Sequence, residues 1–393
     1  MTFRTHIKDV AILKNGKKRI KKSSGTYELY GANGKIGYTD EFLLEKESIV
    51  IGRVGANCGS IHYSKKPIWI SDNTIGVIPK ENVDGYYLYY YLKSLRLNER
   101  ASGSAQPLIN QSIINSIDLN LINISEQRKV GAFLKFLDDK IETNEQLIVN
   151  LEEIFQTLFK HWFIDFEFPN EQGQPYKSSG GEMIESELGM IPLKWRVSLL
   201  KDDTAYLSGG TPKTKEVSYW NGTIPFFTPK DAKSSIYTTT TEKKITELGL
   251  EKCNSKLYPK NTIFITARGT VGKLALANKP MAMNQSCFAL QHNENHQFYL
   301  FGIVRNLVNQ IILSANGAVF NAINLNDLKI LKYVKPLQQI IKQFEEMVSP
   351  MFEKMSLLEE EILTLKELRN TLLPKLLLGK IEIPDDLVGE LIV

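Results

Sequence analysis

The sequence predicts an α/β protein built from two strand-rich globular modules. Two long helices join the modules and pair antiparallel within the chain, giving a pseudo-twofold repeat. Three observations predict this: an internal repeat at a shift of about 212 to 215 residues, β-branched runs bounded by glycine in each copy, and a heptad series after each globular part. A length of 393 residues also favours two or three domains at roughly 150 residues each.

The repeat is an ordered set of matches, each weak by itself. Ile49, Ile51, Gly55 and Gly59 correspond to Ile263, Ile265, Gly269 and Gly272, with Cys58 as a one-residue insertion. Tyr87 and Leu88 correspond to Tyr299 and Leu300; Ala101, Gly103, Ile109 and Asn110 correspond to Ala315, Gly317, Ile323 and Asn324. Further on, Lys160, Glu167 and Pro169 match Lys375, Glu382 and Pro384. A nearly constant offset over a long stretch is the mark of a duplicated plan.

Within each copy the runs SIVIGRV and TIFITAR read as buried strands, because β-branched side chains pack well on a pleated surface and glycine bounds them. Gly, Asn and Pro turns surround them, and one helix is expected in each module, near 85–98 and 297–312. From residue 130, Val130, Leu137, Leu151 and Leu158 recur with a seven-residue spacing, with Asn144 in the same register. Leu134, Ile141, Ile148, Phe155 and Trp162 form a second series, and the two together make a heptad seam. In the C-terminal copy the seam runs Met355, Leu358, Ile362, Leu365, Leu368, Leu372 and Leu376. Ser349-Pro350 reads as the N-cap and first residue of that helix, and Gly379 as its stop. A helix of about 35 residues spans roughly 50 Å, so it must pack mainly on another long helix. Its own repeat is the nearest partner, and a homodimeric coiled coil is the rival pairing. Asn144 in the seam would fix register at some cost in stability. The expected divisions are 1–124, 125–168, 169–336 and 337–393: module, spacer, module with its entry linker, spacer with its tail.

Composition places the chain among ordinary globular proteins, with 42% hydrophobic and 23% charged residues. No apolar run reaches the roughly 18 residues of a membrane span, and the start MTFRTHIKDV has no apolar signal core, so the cytoplasm is the expected location. Cys58, Cys253 and Cys287 are odd in number and form no CxxC pair, which points to neither a disulfide framework nor a zinc site. Dinucleotide and P-loop glycine motifs, HExxH and GxSxG are absent from the sequence. His292 and His296 lie four apart without a third ligand in view, so HNENH reads as a polar loop; a metal hydrolase using that pair is the enzymatic rival. No catalytic or metal residue is assigned, and binding is the expected role.

Net charge is only +4, yet residues 14–22, KNGKKRIKK, hold six basic residues and no acid. Two basic modules joined by a rigid spacer suit a repeating polyanion, and B-DNA grooves return every 34 to 36 Å or so. Phosphate candidates in the first module are Lys17, Lys18 and Arg19, with Arg53 and Asn57 on the glycine turn and Lys65 and Lys66 on the loop after it. In the second module they are Lys213, Lys215 and Lys230 beside Trp220, with Arg268 and Lys273 on the matching turn. Lys and Arg would supply salt-dependent affinity, and Arg, Asn and Gln would reach base edges. The polar loops differ between modules, which implies an asymmetric, two-part site. The structural rival is a coiled-coil tether whose end modules bind protein.

The residues also resemble a known family. Glu185-Ser186-Glu187-Leu188-Gly189-Met190-Ile191-Pro192-Leu193-Lys194-Trp195 is similar to the opening segment of the second target-recognition domain in specificity subunits (HsdS) of type I restriction–modification systems. Ser208-Gly209-Gly210-Thr211-Pro212-Lys213, Tyr219-Trp220, Ile224-Pro225-Phe226 and Pro229-Lys230-Asp231 continue it. In the first half, Gly16-Lys17, Tyr30-Gly31-Ala32-Asn33-Gly34 and Gly37-Tyr38 resemble another version of that domain. Glu126-Gln127-Arg128 and Leu372-Leu373-Pro374-Lys375-Leu376-Leu377 with Gly379 resemble the family's two helical regions.

The resemblance, which covers essentially the whole chain, implies a non-catalytic subunit. Each recognition domain would read one half of a bipartite duplex DNA site, and the helices would set the gap. Two modification (methyltransferase) subunits and two restriction (motor–nuclease) subunits would be the partners. S-adenosylmethionine, ATP and magnesium would bind those partners, with no cofactor in this chain. The second copy departs from the pattern: Pro336-Leu337-Gln338-Gln339 lacks the Glu-Gln-Arg of the first, and Pro350 predicts a kink or break between 336 and 355.

Overall fold

The computed structural model describes residues 2–101, 107–233, 235–314 and 323–386. Gly103, Ala315 and Gly317 of the repeat lie outside them. Contacts gather into two units, residues 1–142 with 363–393 and residues 143–362. Among the described residues, no helix is long and apolar enough to cross a membrane.

The first unit begins with β1 (Thr2–His6), α1 (Ile7–Val10), β2 (Ala11–Asn15), β3 (Tyr27–Gly31), β4 (Gly34–Thr39) and β5 (Ser48–Gly52). It continues through β6 (Ile61–Ser64), β7 (Ile68–Ile70), β8 (Thr74–Pro79), α2 (Gly85–Ser94), α3 (Gln111–Asn115) and β9 (Asp118–Ile122) into α4 (Ile124–Phe163). Its sheets have the orders β2-β8-β5-β6, β4-β3-β7 and β1-β9, with β3 and β7 parallel. The run SIVIG is the buried central strand β5, flanked on both sides.

The second unit takes the same plan with different lengths. It holds β10 (Met183–Ser186), β11 (Gly189–Pro192), β12 (Arg196–Leu199), α5 (Leu200–Asp203), β13 (Thr204–Ser208), β14 (Trp220–Phe227), β15 (Tyr237–Thr238) and β16 (Lys243–Ile245). Then come α6 (Glu247–Glu251), β17 (Ile263–Thr266), β18 (Leu274–Ala277), β19 (Ala282–Met283), β20 (Cys287–His292), α7 (Gln297–Ser314), α8 (Leu325–Lys329), β21 (Lys332–Lys335) and α9 (Gln338–Leu377). The main sheet runs β13-β20-β17-β18-β15, with β16-β14-β19 beside it and β12 pairing β21. The segment from Glu185 forms the β10–β11 hairpin, and Trp195 after it is buried and stacked on Phe168 at 4.7 Å.

The repeat is visible in the backbone bonding. Ile109 N donates to Arg53 O at 2.9 Å, and Ile323 N donates to Ala267 O at 3.0 Å. Arg53 N donates to Asn73 O, and Ala267 N donates to Ser286 O, both at 2.9 Å. Gly55, Gly59, Gly269 and Gly272 all sit at φ between +76° and +82°, a region that suits glycine because it has no Cβ to clash. Asn110 and Asn324 are the N-caps of α3 and α8.

The seam residues Val130, Leu134, Leu137, Ile141, Ile148, Phe155 and Trp162 are buried, as are Met355, Leu358, Ile362 and Leu376. In the first unit the N-terminal half of α4 packs with the C-terminal half of α9: Val130 and Leu134 share a core with Leu376 and Leu377. In the second unit the C-terminal half of α4 meets the N-terminal half of α9, with Phe163 4.8 Å from Phe344. Each pairing is antiparallel. Gln127, fully buried, ties α4 to its module: Oε1 accepts from Asp84 N at 3.1 Å and Nε2 donates to Ile122 O at 2.7 Å. Asn144 is buried with no partner for Nδ2 among the described residues, the cost expected of a polar seam residue.

Three expectations about α9 are overturned. The helix starts at Gln338, and Pro350 neither begins nor breaks it. Pro350 lies on the exposed side, while Ile341, Phe344, Val348, Phe352 and Met355 are all buried within a few turns of it. An interior proline costs about 3 kcal/mol, and burying each large apolar side chain offsets roughly 1.5–3 kcal/mol. Ser349, read as an N-cap, instead donates its hydroxyl back to Glu345 O at 2.5 Å. Leu368, placed in the seam by spacing, is 42% exposed; the half-buried residues Leu365, Arg369 and Leu372 flank it. Gly379 does close α9, through Gly379 N to Leu376 O and Lys380 N to Lys375 O, the paired bonds of a Schellman ending. Pro350→Ala should restore the missing helical bond and raise stability by about 1–3 kcal/mol, or several degrees in Tm. A lower melting temperature by circular dichroism would mean that proline is accommodated by a bend the core needs.

Candidate nucleic-acid interface

The basic run 14–22 is pinned by its backbone and spread by its side chains. Lys17 N donates to Ile70 O at 3.0 Å, and Trp69 Nε1 donates to Lys17 O at 2.9 Å, holding the loop against β7. Arg19 then lies over the Trp69 ring at 4.6 Å, pairs with Glu41 at 2.6 Å and donates Nε to Thr39 Oγ1 at 3.3 Å. Lys22 pairs with Asp40. Lys17 and Lys18 are exposed, with no side-chain partner among the described residues.

Arg53 is half-buried at the start of the glycine turn, its Nε enclosed and without a partner among the described residues, while Asn57 is exposed at the tip. Gly55 N donates to Pro107 O at 3.3 Å, so this turn and the segment from residue 107 form one surface. Lys65 does something else: it pairs with Asp139 at 2.5 Å and Glu142 at 2.7 Å on α4. Burial lowers its pKa, and the two carboxylates outweigh that and raise it. Lys66 next to it is exposed.

The second unit joins its candidates through a chain of loops. Trp220 Nε1 donates to Lys213 O at 3.2 Å, which fixes the loop carrying the exposed Lys213 and Lys215. Thr211 bonds Gln285, and Ser286 O accepts Ala267 N ahead of Arg268. Thr270 Oγ1 donates to Pro229 O at 3.4 Å and Lys273 Nζ to Ala232 O at 3.4 Å, so the turns bearing Lys230, Arg268 and Lys273 lie together. Lys230 reaches Glu242 at 3.8 Å across solvent, a pairing worth little. Asp231 builds this turn: its carboxylate accepts from Thr228 N, Thr228 Oγ1 and Glu242 N at 2.7–2.8 Å.

Sequence reading missed the organisers of these loops. In each unit an indole N–H holds the carbonyl of a basic-loop lysine, and a cation lies over the same ring: Arg19 on Trp69, Lys243 on Trp220 at 5.6 Å. Trp69 sits in the apolar run IWI, whose sequence carries no signal beyond that of an ordinary core strand. Gln285, exposed on the loop that Thr211 holds, follows Asn284 with no pattern to mark it.

The family model described as type I restriction modification DNA specificity domain matches residues 4–153 and 192–366. The chain belongs to this family. The MjaIX type I restriction enzyme specificity subunit of Methanocaldococcus jannaschii is 29% identical over 341 residues, covering 84% of this chain and 77% of the relative. The HindI specificity subunit of Haemophilus influenzae is 25% identical over 327 residues, 70% of this chain and 71% of the relative. A crystal structure of the type I S subunit from M. genitalium has a TM-score of 0.66 at 19% identity, covering 96% of both chains, and shares the fold. Both relatives are specificity subunits, and the part of the repeat that runs from Ile49 to Asn110 and from Ile263 to Asn324 falls within the two matched stretches.

His292 and His296 lie with ring centroids 5.2 Å apart, and each ring has a polar neighbour of its own. His292 is buried at the end of β20; its Nδ1 accepts from Glu294 N at 3.1 Å, and His296 Nε2 meets Gln338. Among the described residues no group of three or more His, Cys, Asp and Glu could hold a metal ion. Burial pushes His292 down to about 4, with His296 adding repulsion. Its folded pKa lies below the ordinary value of about 6.5, so its contribution to stability is present above pH 6.5 and is lost as pH falls through 4. At pH 5 the loss is about 2 kcal/mol. His292→Gln should therefore flatten the fall in Tm between pH 7 and pH 5; parallel profiles for variant and wild type would remove His292 as the cause.

Proposed function

We propose that this specificity subunit reads a bipartite, asymmetric duplex DNA site, each unit contacting one half through its basic loops. The observation that carries the reading is a shared frame with dissimilar readers. The glycine turns and backbone bonds repeat, while Lys17, Lys18, Arg19 and Asn57 have no counterparts in type and place to Lys213, Lys215, Gln285 and Arg268. The exposed lysines would bind phosphate and set register, and Asn57, Arg268 and Gln285 would reach base edges. Arg19 and Lys65, already engaged within the first unit, would act as scaffold more than as DNA contacts.

In this reading α4 and α9, at 40 residues each and about 60 Å long, set the unread gap between half-sites. Modification subunits dock on the chain and flip a target base out of each half-site for chemistry; restriction subunits complete the complex. S-adenosylmethionine, ATP and magnesium bind those partners, and this chain contributes recognition alone.

Duplex affinity should fall by about a thousandfold or more between 50 and 200 mM salt if six or more phosphates are contacted. Lys213→Ala with Lys215→Ala should weaken binding across sequences and lower the salt slope by about 2. A salt-independent interaction would favour a tether that binds protein. Replacing residues 1–124 with those of a relative should change one half-site in the host methylome, and one extra turn in 130–160 should change the gap alone. Scrambling of both halves by either change would refute the division of labour.

A further inference from the structure

Two near-copies of one helical strut can pair in three ways: α4 with α9, α4 with the α4 of a second copy, or α9 with the α9 of a second copy. An apolar seam does not choose among them. The residues where each module meets the struts do.

In the first unit the junction is polar. The Asp138 carboxylate accepts from Tyr86 OH at 2.6 Å and Tyr90 OH at 2.5 Å, and it pairs with Arg369 at 2.5 Å. Asp138 and Arg369 side chains are only 19% and 18% exposed. The repeat relates α2 to α7 by 212 residues (Tyr87 to Tyr299) and the struts by 214, one less than the match of Lys160 with Lys375 suggests, since Val130, Leu134, Ile141 and Ile148 map onto Phe344, Val348, Met355 and Ile362, all buried. Asp138 then maps onto Phe352, Tyr86 onto Phe298, and Arg369 onto Phe155. In the second unit those positions form an aromatic junction: Phe298 stacks on Phe352 at 4.1 Å, and Phe155 meets Phe352 edge-on at 4.8 Å.

The helix caps differ in the same sense. Asp84 caps α2 through Tyr87 N at 2.8 Å, and the strut residue beside it is Gly131, where an added Cβ would lie 2.1 Å from Asp84 Oδ1. At the matching strut position the second unit has Glu345, whose carboxylate caps α7 through Phe298 N at 3.0 Å and Tyr299 N at 2.8 Å. The position matching Asp84 is His296. The acid has moved from module to strut, and each module fits only the strut that complements it.

We propose that the two junctions are mutually exclusive keys, which confine each module to its own pair of strut ends and make α4 pair with α9 in preference to α4 or α9 of a second copy. A pair of α4 helices would set Asp138 against Phe155 of the other copy, and a pair of α9 helices would set Arg369 against Phe352. Each leaves a largely buried charge without its partner, a strongly unfavourable arrangement.

The test makes the polar junction apolar in the full chain: Tyr86→Phe, Tyr90→Phe, Asp138→Leu and Arg369→Met together. Wild type and variant are refolded from denaturant as mixtures of ¹⁴N- and ¹⁵N-labelled chains, then sized by native mass spectrometry and mapped by lysine cross-linking. The dimer-to-monomer ratio should rise at least about tenfold in the variant, with isotopically mixed cross-links joining α4 to α4. An unchanged ratio, or dimers whose links join only α4 to α9, overturns the proposal. If the quadruple variant lacks helical signal, Asp138→Asn with Arg369→Gln, close in size to the natural pair, must show the same gain in homotypic links; its absence there overturns the proposal equally.

Discussion

A helix of 40 residues that is apolar along one stripe cannot be covered by the module it leaves, and this constraint organises the rest of the structure. The stripe of α4 needs a partner of similar length, and the internal duplication supplies α9. Burial along the seam is extensive enough to carry an interior proline, a buried polar Asn144 and a polar junction at Asp138. Each of those is unfavourable alone. They persist because Phe155, Phe344, Phe352 and their neighbours dominate the balance by area removed from water.

The modules solve a different problem, which is to hold polar loops still. Their frame is set by bonds that ignore side-chain identity: Ile109 to Arg53, Ile323 to Ala267, and glycine turns at positive φ. Side chains between those bonds can then change without disturbing the fold. The indoles of Trp69 and Trp220 add a second anchor by gripping a lysine carbonyl and leaving the lysine side chain outside. Loops fixed in this way lose little further freedom on binding, which favours specific recognition.

Charge in this chain is divided between structure and surface. Lys65, Arg19, Lys335 and Arg369 are held by carboxylates inside their own unit, whereas Lys17, Lys18, Lys213 and Lys215 face solvent. A net charge of +4 therefore understates how much positive potential the loops present, since much of the acid is committed to internal pairs and to the struts.

What the sequence determined by itself was everything that periodicity and order can carry: the duplication, the central strands at Ile49 and Ile263, the helices after Asp84 and His296, the seam of α4 and the family. These are local or repeated patterns, and tertiary contacts only reinforce them. The tertiary structure alone decided how α9 passes through Pro350, because the outcome depends on buried phenyl rings whose partners lie nearly two hundred residues away. It decided that Lys65 holds a helix and that Leu368 faces water, since neither residue's place in the sequence says which distant element lies against it. It also decided which acid caps which helix. Asp84 and Glu345 answer the same need from opposite elements, and only their contacts across the fold reveal the exchange.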